Sequence, residues 1–139
     1  MPNRDVHVPV SAAAGAIAAG ACSFDEPIAV IISRVIGGTV GGYIGGLMPD
    51  IIDSPRNGPN HRSIGHGLIP IGLICSLAFR AVIGFRERLK ADAVLVREDA
   101  PPRSLFLEAM IGVIDGFIAG YLAHLALDAG TSKGLPVLA

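Results

Sequence analysis

The chain has 139 residues, a formal net charge of −1, a 51% hydrophobic composition and a mean hydropathy of +0.57. One domain is the default at this length, and no basic cluster interleaved with aromatics is present, which excludes nucleic acid as a partner. Aromatics make up 5% and Trp is absent, so Ala, Gly, Ile, Leu and Val carry the apolar content, as suits helices packed in lipid rather than a water-filled surround.

Four apolar segments follow in chain order. The first, about 8–22 (VPVSAAAGAIAAGAC), is short for a span, which needs about 20 residues; it crosses with little tilt or is partly re-entrant. A signal peptide cleaved near Ala21 would remove His7, but the flank Met1–Asp5 is too weakly positive to favour that. The second, about 28–48, starts after Asp25-Glu26-Pro27, with acids near the N-terminus and Pro in the first turn, both good helix starters. It carries two overlapping GxxxG rows, Gly37/Gly41/Gly45 and Gly38/Gly42/Gly46. Without side chains there, a neighbouring backbone can come close. Packing inside the bundle is the first use of such rows; a homo-oligomer or larger membrane assembly through the Gly37–Gly46 face is the second.

The third segment, about 67–85, places Pro70 early, where a helix tolerates it. The fourth, about 105–128, is ended by Gly130. Cys22 and Cys75 lie in apolar runs with no CxxC spacing, so neither a thiolate metal site nor a disulfide is expected. The expected fold is all-α: a small polytopic membrane bundle of about four transmembrane helices, one domain over 1–139, with a polar metal-binding loop at one face. Membrane lipids would surround it, in a bacterial inner membrane or its equivalent.

If all four segments cross, the N-terminus, the 49–66 loop and the C-terminus share one face. His7 precedes the first helix, Asp50 and Asp53 follow the second, His61 and His66 precede the third, and His124 and Asp128 end the fourth. All four histidines then meet at that face. His124 and Asp128 are four residues apart and project from one side of a helix, a turn apart. Alone, such a pair is most often a surface or capping pair, and HRSIGH an interfacial basic loop. Together with Asp50 and His7 they point to a divalent transition metal. Imidazole and carboxylate suit Zn first, then Mn or Fe, whereas Ca and Mg prefer oxygen shells.

Four charged residues fall inside the segments: Arg34, Arg80, Glu108 and Asp115. Arg80 and Glu108 would lie near the opposite face and snorkel. Arg34 and Asp115 lie deeper, roughly 20–25 Å from the site face at about 1.5 Å per residue, and are expected to pair with each other. Arg86, Arg88, Lys90, Arg97 and Arg103 in the 86–104 loop outnumber Arg4, Arg56, Arg62 and Lys133 on the site face. Positive-inside counting then puts the site on the non-cytoplasmic side.

Three blocks resemble the YdjM-like family of membrane-bound metal-dependent hydrolases. They are HVPVSAAAGA, then GGLMPDIID with NHRSIGH, then GYLAHLALDAGTSKGLPVL. The resemblance covers most of the chain outside 75–105. It implies that His7, Asp50, His61, His66, His124 and Asp128 are metal or catalytic residues, that Arg62 orients a carboxylate or a substrate phosphate, and that Thr131 supports the site from behind. Many members read P-D-I-D-H, where this chain has Ile52 and Asp53; some carry an acid three residues after the first, as Asp53 does.

The function implied is a membrane-embedded hydrolase acting on a phosphoester or lipid-linked substrate at the membrane surface. His7, Asp50, His66, His124 and Asp128 would hold metal, Asp53 or His61 would act as general base, and Arg62 would stabilise negative charge. The alternative is a non-catalytic structural subunit with a metal-pinned helix bundle. A carrier ranks last, because its ligands would have to line a path through the bilayer.

Overall fold

The computed structural model describes residues 4–52 and 68–130, and these residues are all-α. Four helices follow one another: α1 (Arg4–Ala21), α2 (Ile28–Ile52), α3 (Leu68–Leu95) and α4 (Pro101–Ala129). Helices α2 and α4 are long and apolar enough to cross a membrane.

The glycine rows of α2 explain the packing. A Cβ on Gly37, Gly41 or Gly45 would overlap the backbone of α4 at Ala109, Val113 or Phe117 in turn. Both sets of numbers rise together, so α2 and α4 run parallel. The second row meets α1 in the opposite order: Gly38 lies against Ala19, Gly42 against Ser11 and Gly15, and Gly46 against Ser11. Helix α1 is therefore antiparallel to α2. Helix α4 answers with a row of its own, as Gly112, Gly116 and Gly120 lie against the backbone at Arg34, Gly38 and Gly42. Both rows of α2 are thus filled by contacts within one chain. Such close approach gains dispersion contacts and asks for no large side chains, which is how helices associate in lipid. Among the described residues α3 packs on α4 alone.

Burial is inverted relative to a water-soluble core. Glycines, Arg34, Glu108, His124 and Asp128 are buried, while Ile17, Ile28, Ile32, Ile36, Val40, Phe106 and Leu122 face outward. An apolar outside around a small and polar inside suits a hydrocarbon solvent.

Two expectations change. Helix α3 continues to Leu95, so most of the 86–104 stretch is helix rather than loop. The chain turns in 96–100, with Val96 N–H donating to Asp92 O and Ala100 N–H to Val96 O. Pro101 and Pro102 then start α4 where their missing N–H groups cost nothing.

The buried ion pairs also differ. Arg34 does not meet Asp115. Its Nε donates to Glu108 Oε2 at 2.7 Å, and its Nη1 to Cys22 O at 3.2 Å. Glu108 does not snorkel; it is fully buried and its other oxygen accepts from Arg97 at 2.9 Å. Arg97 also reaches Glu26 at 3.3 Å. Asp115 instead binds Arg86 through both oxygens, at 2.7 and 2.9 Å. The reason is register. Gly112 lies beside Arg34, and helical side chains lean toward the N-terminus, which carries Arg34 to the level of Glu108. The extra turns of α3 supply Arg86 to Asp115.

Candidate metal centre

The end of the bundle away from Glu108 gathers the start of α1 and the ends of α2 and α4. His7 enters from α1, Asp50 from α2, and His124 and Asp128 from α4. His7, His124 and Asp128 are buried, and each offers one ligand atom such that all three atoms lie within 4.8 Å of one another. The two imidazoles meet edge to face, with centroids 4.5 Å apart and planes at 81°.

The ring of His124 is held in a defined orientation. Its Nδ1 lies 2.6 Å from Gly46 O. A carbonyl only accepts, so Nδ1 carries the proton. The local sequence allows this approach: Gly46 has no side chain, and Ser11 of α1 occupies the space beside it. Nε2 then points to the carboxylates, 3.4 Å from Asp128 Oδ2 and 3.8 Å from Asp50 Oδ1.

These separations test whether a metal fits. A charge-assisted hydrogen bond would be about 2.7–2.9 Å, so both distances are long for a shared proton. The 3.4 Å separation matches the edge of a tetrahedron with metal–ligand bonds of about 2.1 Å. An imidazole whose second nitrogen donates to a backbone carbonyl is the usual form of a metal-bound histidine. The group of His7, His124 and Asp128 could therefore hold a metal ion. Asp50, about a third exposed, stands at its edge.

Of the expected site residues, the structure brings together His7, Asp50, His124 and Asp128. Asp53, His61, Arg62, His66 and Thr131 lie outside the described residues. Residue types and spacing did not single out Gly46. Gly46 was legible only as the end of a glycine row, and a backbone acceptor leaves no mark in side-chain chemistry.

Neither the curated proteins nor the solved structures compared with the chain include a match. A family model described as YdjM inner membrane protein matches residues 1–139. The site blocks and the inverted burial fall inside this match, and the chain belongs to the YdjM family of inner membrane proteins.

Proposed function

We propose that the protein is a membrane-embedded metal-dependent hydrolase acting on a phosphoester or lipid-linked substrate at the membrane surface, with all four helices crossing. The observation that carries this is the placement of His124. Its Nδ1 is anchored on Gly46 O and its Nε2 is turned toward Asp128 and Asp50. His7, His124 and Asp128 would hold the ion, Zn before Mn or Fe, with Asp50 and His66 completing the set. When bound, such an ion lowers the pKa of a water and polarises a phosphoryl oxygen.

The chain's own residues supply the rest. Gly46 O keeps the His124 ring in one tautomer. The crossed ring of His7 limits its rotation. Asp53 or His61 would take the proton from the attacking water, and Arg62 would receive the negative charge on the substrate. A site at one end of an apolar bundle is reached from the headgroup layer, which favours an amphiphilic substrate.

A second reading is a metal-pinned structural subunit. It is favoured by the near-complete burial of His7, His124 and Asp128, at 6%, 1% and 2% exposed, because closed sites are the structural kind and catalytic sites keep an open position. Elemental analysis of the purified protein, beside His124→Ala and Asp50→Ala, is the first test. Absence of stoichiometric transition metal in the wild type would sink both readings. With metal present, turnover of any member of a phosphoester lipid panel selects the enzyme, and turnover of none selects the subunit.

A further inference from the structure

Ser11 is buried completely, and its Oγ has no hydrogen-bond partner among the described residues. This is unusual for a helical serine, whose hydroxyl commonly bonds the carbonyl one turn back. In this chain Ser23, Ser33 and Thr39 all do so, at 2.8, 2.9 and 2.9 Å. Leaving a buried hydroxyl unmade is costly, so a ligand for it has to be sought nearby.

Its position is informative. Ser11 follows His7 by four residues and therefore shares its face of α1. Its Cβ and Oγ fill the space that a side chain on Gly46 would occupy, and Gly46 is the residue whose carbonyl holds His124. Packing does not explain the hydroxyl. Close approach of α1 to α2 asks only for a small residue, and Ala fills α1 at 12, 13, 14, 16, 18, 19 and 21. At 11 the chain carries the same small side chain with a donor added, one turn from His7 and against Gly46.

We infer that Ser11 is a further anion-binding residue of the site, its hydroxyl donating a hydrogen bond to an oxygen of the phosphate-type anion bound there. This rests on the metal-site reading. The carboxylates of Asp50 and Asp128 repel an anion, so a bound cation and a neutral donor such as Ser11 are what make the pocket accept one. The hydroxyl acts on the anion rather than on the metal, and the two bindings therefore separate on mutation.

The test loads detergent-purified full-length protein with Co(II), reads its visible absorption, and then titrates inorganic phosphate. Wild type, Ser11→Ala, Ser11→Cys and His124→Ala are compared, each checked for its melting temperature. The expectation is an unchanged Co(II) stoichiometry in Ser11→Ala with phosphate affinity weaker by about ten- to a hundredfold, the worth of one hydrogen bond to a charged group, and a partial return in Ser11→Cys. Equal phosphate affinity in wild type and Ser11→Ala, with Co(II) bound in both, overturns the role of Ser11 and leaves the metal site standing. Loss of Co(II) in Ser11→Ala makes the residue part of the metal-holding frame and also overturns it. Failure of the wild type to take up Co(II) overturns the metal-site reading, and the inference falls with it.

Discussion

Arg34 and Glu108 form an ion pair at 2.7 Å with side chains 1% and 0% exposed. It ties α2 to α4 at the end of the bundle opposite the histidines. Arg97 joins it from the turn before α4, and the carbonyl of Cys22 joins it from the end of α1. One carboxylate thus gathers the connections α1–α2 and α3–α4 on one polar centre.

Removal of that carboxylate is expected to be severe. Glu108→Ala leaves Arg34 buried without its main counter-charge, a loss of roughly 3–5 kcal/mol by analogy with broken buried pairs. Denaturant titration in detergent micelles checks this. A loss below about 1 kcal/mol, the range of exposed pairs, would mean that the network does not hold the bundle.

Asp115 and Arg86 fasten α3 to α4 in the middle of α4, with both oxygens engaged. Asp115→Ala is expected to loosen α3 and to destabilise the fold by roughly 2–3 kcal/mol, the scale of an unpaired charge within a span. Backbone hydrogen exchange is the measurement. Faster exchange should appear in α3, with α1 and α2 little changed because α3 packs on α4 alone among the described residues. Exchange unaltered in α3 would remove this pair as its fastening.

The glycines of α2 are expected to tolerate nothing larger. A Cβ on Gly41 overlaps the carbonyl of Val113, and one on Gly42 overlaps the carbonyl of Ser11; backbone on both sides cannot yield as a side chain can. Gly41→Val or Gly42→Val should abolish recovery of folded, monodisperse protein from detergent. Gly84 in α3 provides the contrast, since a Cβ there meets nothing within 4 Å. Gly84→Ala should be neutral or gain about 0.5–1 kcal/mol from helix propensity. Equal recovery of the Gly42→Val and Gly84→Ala proteins would refute the packing described.

At the site, His124→Ala removes the ring held by Gly46 O and should reduce bound transition metal to background by elemental analysis. Asp128→Asn keeps the shape but removes the charge of a proposed ligand, and should weaken metal retention against a chelator by more than the about ten- to a hundredfold that loss of an outer partner costs. Retention equal to wild type in Asp128→Asn would place the ion elsewhere.

Much of this was legible in the chain. Segment hydropathy marked the four helices, and the alternation of their direction was enough to predict one end for His7, Asp50, His124 and Asp128, because an even number of alternating helices returns the chain to the same end of the bundle. The GxxxG rows announced close packing, because a missing side chain is a property of the residue and not of its neighbours. The sequence alone could not say which charge meets which. Pairing Arg34 with Asp115 rested on depth counted along straight helices, whereas the partners depend on the stagger of α2 against α4 and on the lean of the side chains. It also depended on where α3 ends, and its charged last turns read as loop because their polar residues carry no continuous apolar stripe. The bond from His124 to Gly46 O was beyond sequence too. A backbone acceptor has no residue signature, and only the approach of α4 to α2 at the end of a glycine row brings that carbonyl and that ring within 2.6 Å.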